Sequence, residues 1–261
     1  MIEDYNYTRK IEKDHYINIG FVCSGNTCRS YMAEAIATHL LKTVYYKKVS
    51  CLKDRVSISS AGTSVTLGKI TRNSYRTLEL LEIPNLKSTP TPIDAPLVRN
   101  SDLILVMSIS HKNEIIRNFD HFDTNKIFTL VELSNIVLYF QTEKIYRRSF
   151  INKGEYIFMD ELDKCNLPQR IRRIGYVRPD LPSGNLKYER HEKIIDESYM
   201  IDAIKDKIFR LKNINREILL TATNLDIEDP FGKPINEYYK VAQTIKEKIL
   251  TIFDYLFIES E

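Results

Sequence analysis

Val22-Cys23-Ser24-Gly25-Asn26-Thr27-Cys28-Arg29-Ser30 sets a thiol, a short glycine-containing loop and a guanidinium side by side. Backbone N–H groups in such a loop, followed by a helix N-terminus, converge on one spot and make it attractive to anions. A cysteine at that spot is favoured as thiolate by the field that favours phosphate. The fork of Arg29 can grip two phosphate oxygens at once. The chemistry this implies is phosphoryl transfer through a cysteinyl-phosphate, with Cys23 as nucleophile and Ser24, Gly25, Asn26, Thr27, Cys28 and Ser30 forming the phosphate cradle. Cys23 and Cys28 could instead ligate a metal, but no second Cys or His pair lies at a plausible zinc spacing, so neither metal nor cofactor is expected.

The attack needs a partner that protonates the leaving atom. Asp229, in Asp226-Ile227-Glu228-Asp229-Pro230-Phe231-Gly232, is the candidate. Pro230 fixes its own φ and pushes Asp229 into an extended conformation. Phe231 offers an apolar wall for a substrate side chain.

Elements must place these residues. Residues 16–22 read as a buried strand and 30–42 as an amphipathic helix with Met32, Ala33, Ala35, Ile36 and Leu40 on one side. Further strands are expected at 56–60, 102–107 and 126–130, and helices at 71–82, 108–118 and 131–145. Pro90, Pro92 and Pro96 mark a loop. Strands alternating with helices predict a doubly wound α/β fold, a central parallel sheet flanked by helices with ligands at the carboxyl ends of strands. Cys23 lies where that rule puts a site.

Cys23 to Ile36, Ser59-Ser60-Ala61-Gly62-Thr63, Ser101 to Met107 and Asp229-Pro230-Phe231-Gly232 together resemble the low-molecular-weight protein-tyrosine-phosphatase family, and most of all its bacterial protein-arginine-phosphatase branch. The resemblance covers residues 15–139 and 224–257, with the motifs in family order. It implies that Cys23 is the nucleophile, Arg29 the phosphate clamp and Asp229 the general acid and base. It also implies that Asn26, Ser30 and Ser60 shape the loop and hydrogen-bond the thiolate. Thr27 and Phe231 match the arginine-phosphatase branch, which favours phosphoarginine over phosphotyrosine on protein substrates. Two positions depart from the family pattern. Tyr31 stands where a proline often follows the Arg-Ser. A histidine that many members bond to the loop asparagine is missing from Asn85-Leu86-Lys87-Ser88-Thr89-Pro90, so Asn85 or Ser88 is expected to substitute. Cys28, close to Cys23 on a tight loop, is either a disulfide partner under oxidation or a small packing residue.

Two other functions compete with this reading. Arsenate reduction on this scaffold needs relay cysteines, and Cys51 and Cys165 are the only others; neither follows the third helix, where a relay belongs. A phosphoprotein-binding module without catalysis would have no use for Cys23, Arg29 and Asp229 together.

The 261 residues carry a formal charge of +3, 43% hydrophobic residues and four irregularly spaced cysteines. These values suit a packed core in a reducing cytoplasm and give little reason to expect nucleic acid. The apolar runs are too short for a membrane span. Residues 1–14 read as a polar arm, 15–139 and 224–261 as the phosphatase domain, and 140–223 as a large insertion before the acid loop. The insertion is expected to pack beside the cleft and shape its rim, with a protein partner as an alternative use. Within it, Ile201, Ile204, Ile208 and Leu211 fall at helical spacing and are expected to pack on the core rather than on a partner. Arg170, Arg172, Arg173 and Arg178, with Tyr176 among them, are expected to be a solvated face.

Overall fold

The computed structural model describes residues 16–66, 68–153, 197–214 and 224–258, with side chains described outside 143–153 and 197–199. The expected N-terminal arm, Cys165 and the arginine cluster around Tyr176 lie outside the described residues. Four parallel strands form one sheet: β1 (Ile17–Cys23), β2 (Val56–Gly62), β3 (Leu103–Val106) and β4 (Ile127–Thr129), in the order β2-β1-β3-β4. β3, Leu-Ile-Leu-Val, is buried at every residue. Such an uninterrupted apolar run suits a strand covered on both faces. The register pairs Cys23 with Gly62 and Val22 with Val106, so the carboxyl ends of β1, β2 and β3 finish together.

The helices are α1 (Arg29–Leu40), α2 (Arg72–Leu80), α3 (Ala95–Asn100), α4 (Ile109–Asn118), α5 (Leu130–Lys153), α6 (Glu197–Lys212) and α7 (Ile235–Phe257). Serine and threonine side chains start two of them: Thr71 accepts from the Ser74 amide at α2, and Ser108 from the His111 amide at α4. These bonds satisfy N–H groups that a helix start leaves open.

Three expectations are corrected. α1 is not half exposed, because Tyr31 and Ala37 are buried along with Met32, Ala33, Ala35, Ile36 and Leu40. It is sandwiched between the sheet and α7, which packs on α1, α2 and α5. A π-helical turn, Leu41–Tyr45, then extends it. The proline-marked loop contains α3, capped by Asp94, with Pro96 in the first turn where a missing N–H costs nothing. α5 runs to Lys153, so the expected boundary at 139/140 falls inside one helix. Within the expected insertion, the described helix α6 lies away from the cleft. It packs on α7 and on the short turn Ser50–Leu52 before β2. Its end reaches the starts of β3 and β4, where Lys212 pairs with Asp123 at 3.7 Å. The physical reason is the apolar stripe itself. Ile201, Ile204, Ile208 and Leu211 are all buried in the main core, as expected. Lys207 then secures the contact by donating to the carbonyls of Tyr255 and Leu256 at 2.8 and 3.3 Å, in the last turn of α7.

Candidate active site

β1 ends at Cys23, and the chain turns through Ser24–Cys28 into α1, whose first N–H groups face the turn. Asn26 holds a left-handed φ of 52°. Asparagine is among the few side chains that tolerate this region. Two amides from the end of β2 clamp the turn: Thr63 donates to the Cys23 carbonyl and Ser64 to the Ser24 carbonyl, each at 2.9 Å. Gly62 permits that approach. A Cβ there would lie 2.5 Å from the Ser24 carbonyl oxygen and 2.9 Å from the Asn26 nitrogen, closer than backbone atoms allow. From the other side, Thr27 offers its carbonyl to the Thr71 amide at 3.2 Å and to the Ser74 hydroxyl at 3.0 Å.

Behind the turn runs a chain of side-chain hydrogen bonds. The Ser30 hydroxyl lies 3.0 Å from Cys23 Sγ. Asn26 donates through Nδ2 to Ser30 Oγ and Ser60 Oγ, both at 2.8 Å, and accepts at Oδ1 from the Thr91 amide at 2.8 Å. Ser60 donates to Glu34, while Lys87 donates to Ser60 Oγ at 3.1 Å and pairs with Glu34 at 3.1 Å. The family resemblance assigns this role to Asn85 or Ser88. The structure does not, because Asn85 accepts from the Tyr31 hydroxyl at 2.9 Å and Ser88 accepts the Ile70 amide through its carbonyl. The loop asparagine is met instead by the Thr91 amide, while Lys87, between Asn85 and Ser88, reaches Ser60.

On the open side, the Arg29 guanidinium donates to Asp229 Oδ2 at 2.5 Å and to the Ile227 carbonyl at 3.2 Å. Arg29 is 8% exposed and Asp229 51%, so the pair spans the step from core to cleft. The loop that carries Asp229 hangs from the sheet: the Ile227 amide donates to the Met107 carbonyl at 2.8 Å, and Asp226 accepts from the Ile109 amide at 2.8 Å. Asp229 itself accepts at Oδ1 from the Phe231 amide at 3.1 Å, which fixes the carboxyl against the following ring. The cleft between these parts is about 200 Å³, lined by Cys23, Ser24, Gly25, Thr27, Cys28, Arg29, Ser64, Thr66, Asp229 and Phe231. Residues 200 positions apart in sequence, Arg29 and Asp229, thus meet at one anion-sized space. Of the expected site residues, Asn26, Ser30 and Ser60 do not line the cleft but stand buried behind it.

Two features of the site carry weak or no signals in the sequence. His111 is buried, with Nε2 at 2.8 Å from Ser24 Oγ and Nδ1 at 2.7 Å from Ser108 Oγ. Burial first, and the nearby positive charge of Arg29 second, lower its pKa to about 4, so the imidazole is neutral at pH 7. A Ser-x-x-His directly after an apolar strand was the available signal, since it puts the histidine in the first turn of a helix at the carboxyl edge. Ser64 and Thr66, on the loop after β2, line the cleft and carried no such signal. Cys28 is buried, its sulfur 3.4 Å from Thr71 Oγ1 and 3.5 Å from the Tyr238 hydroxyl, a contact to the far end of the chain.

The low molecular weight phosphotyrosine protein phosphatase family matches residues 18–138. A protein-arginine-phosphatase of Bacillus subtilis is 35% identical over 117 residues, spanning 44% of this chain and 71% of that one. The protein-tyrosine-phosphatase PtpB of Staphylococcus haemolyticus is 33% identical over 120 residues, 44% of this chain and 73% of that one. The chain belongs to this family of protein phosphatases. Among solved structures, a low molecular weight protein tyrosine phosphatase from Bacillus subtilis superposes on this phosphatase with a TM-score of 0.51 at 20% identity, covering 92% of this chain and 97% of that one. A mutant of the YwlE arginine phosphatase with a phosphorylated active-site serine gives 0.50 at 19%, covering 90% and 93%. At such identity the likeness is one of fold. Cys51 lies on the turn before β2, while the cradle adjoins that strand's far end, about 20 Å away for a strand of this length. That separation leaves Cys51 unable to relay a disulfide from the cradle.

Proposed function

We propose that this phosphatase hydrolyses phosphoarginine on proteins, and phosphotyrosine less well, through a phosphate ester of Cys23. The observation that carries the reading is the convergence of Cys23, Arg29 and Asp229 on one cleft, with the Ser30 hydroxyl against the sulfur. The thiolate attacks phosphorus in line, while Arg29 and the cradle N–H groups hold the three equatorial oxygens. As Arg29 turns to the phosphate it releases the Asp229 carboxylate, which takes up a proton from solvent and gives it to the leaving nitrogen as the P–N bond breaks. The carboxylate so formed then takes a proton from water, which attacks the cysteinyl-phosphate; the S–P bond breaks and inorganic phosphate departs. Ser30 stabilises the sulfur both as attacking and as leaving group. The YwlE arginine phosphatase mutant carries a phosphorylated active-site serine, which supports a phosphoryl group held on the protein.

The substrate preference rests on the walls of the cleft. Thr27 presents a hydroxyl where a branched aliphatic side chain would present a methyl, and Ser64 and Thr66 add two more hydroxyl-bearing side chains. Phe231 is the aromatic side chain among the lining residues. Such a cleft suits a donor-rich guanidino group, which Asp229 also steers by charge, better than a flat ring gripped from two sides. A methyl-for-hydroxyl exchange discriminates by about 1–3 kcal/mol, so phosphotyrosine activity persists.

The test compares kcat/KM for phosphoarginine and phosphotyrosine peptides in the native chain and in Thr27→Ile. The native chain should favour phosphoarginine, and the variant should shift toward phosphotyrosine. A native preference for phosphotyrosine, or no shift, rejects the proposed specificity. Cys23→Ser should abolish turnover, and Asp229→Ala should slow it by roughly 10²–10⁴.

A further inference from the structure

The hydrogen-bond chain behind the cradle has an unambiguous polarity, because both of its outer ends are charged. Lys87 is a donor only, and the ionised Glu34 an acceptor only. Asn26 is oriented by the Thr91 amide, which donates to Oδ1 at 2.8 Å and so leaves both Nδ2 protons for Ser30 and Ser60. Ser60 Oγ accepts from Asn26 and from Lys87, so its one proton goes to Glu34. Ser30 Oγ accepts from Asn26, and its proton then has two acceptors, Cys23 Sγ at 3.0 Å and the Ala61 carbonyl at 3.3 Å. A thiolate accepts and cannot donate, so an ionised Cys23 takes that proton.

We propose that Lys87, paired with Glu34, is a positioning residue that holds Ser60 and the Thr91 segment in place around Asn26, and so keeps the Ser30 hydroxyl aimed at the nucleophile. The proposal rests on Cys23 being the nucleophile. Three observations on Lys87 beyond the ion pair support it. Its ammonium also reaches the Ser60 carbonyl at 3.2 Å and Thr91 Oγ1 at 3.3 Å, so it ties β2 to the segment that orients Asn26. It is 22% exposed and Glu34 14%, so neither charge is a solvated surface group. Without the ammonium, Glu34 would be a poorly hydrated carboxylate aimed at a chain that ends on an anion. The other ionisable groups around the cradle, Arg29 and Asp229 in the cleft and His111 behind Ser24, are common to all the variants below.

The experiment measures kcat and KM for p-nitrophenyl phosphate, and the second-order rate of Cys23 alkylation by iodoacetamide, with the modified cysteine located by mass spectrometry. Lys87→Met should lower kcat and the alkylation rate about tenfold, the scale of one charge-assisted hydrogen bond, with KM within about twofold of the native value. Lys87→Arg should retain most of both rates. Glu34→Gln combined with Lys87→Met should recover part of the loss, because the unpaired carboxylate is gone. Native rates in Lys87→Met overturn the proposal, as does a double variant no better than the single one, which would reduce Lys87 to packing. Cys23→Ser separates the two layers. Turnover surviving there rejects the nucleophile itself, whereas an inert Cys23→Ser beside a native-like Lys87→Met rejects the positioning pair alone.

Discussion

His111 shows how the surroundings of a single side chain create a pH dependence. Its two nitrogens are taken up by Ser24 and Ser108, and there is no carboxylate in direct contact among the described residues to favour the imidazolium. Unfolded, the ring binds a proton near 6.5; folded, only near 4. Above 6.5 the ring is neutral in both states and its contribution to stability is complete. Between 6.5 and 4 the unfolded chain binds a proton that the folded chain refuses, so stability falls as pH falls. His111→Gln has no such group. The difference in unfolding free energy between native chain and variant should therefore be largest at about pH 7 and narrow toward about pH 4, measured by denaturant titration at a series of pH values. Parallel pH curves would mean that the ring is solvated. At this scale the chemistry is legible in sequence where one loop holds it, as at Cys23 and Arg29. It is not legible at Lys87, because only the folded path of the chain shows that a lysine reaches Ser60 where Asn85 and Ser88 do not.

Among the elements, the buried strands and the helix cap residues are the clearest in sequence, since β3 is a continuous apolar run and Thr71 and Ser108 each accept from an amide three residues on. α3 is hidden by its proline, whose preset φ marks a loop and a first helical turn equally well. The length of α5 is hidden for a different reason: beyond 145 there is no breaker before Gly154 to stop it. The apolar stripe of α6 reads as core and is core, and it offers a clean test of that packing. Ile204 is 1% exposed within the main cluster. Ile204→Ala should cost about 2–5 kcal/mol of unfolding free energy, the usual loss for a buried large-to-small change. Turnover of p-nitrophenyl phosphate at about 25 °C should stay within about twofold of native, because α6 meets the sheet at the ends opposite the cradle. A loss below about 1 kcal/mol would show that α6 does not bury this face.

For the molecule as a whole, the site is closed by residues from both ends of the described chain, the cradle after β1 and the acid loop before α7, and both are pinned to β3 and its neighbours. Residues 154–196 leave after α5 and re-enter at α6, and both of these helices pack on α7. The re-entry helix is held at the pole where the strands begin, and the described cleft is lined by residues outside 140–223. Among the described residues no helix is long and apolar enough to cross a membrane. Residues 154–196 are expected to act in substrate choice, and replacing them tests that. Replacing 154–196 with a flexible glycine-serine linker, while keeping α5 and α6, should leave kcat/KM for p-nitrophenyl phosphate within about twofold of native. On a folded phosphoprotein the same replacement should lower kcat/KM several-fold, through KM. A fall on the small substrate would instead place the segment at the cleft rim, and no change on either substrate would deny it a part in substrate choice.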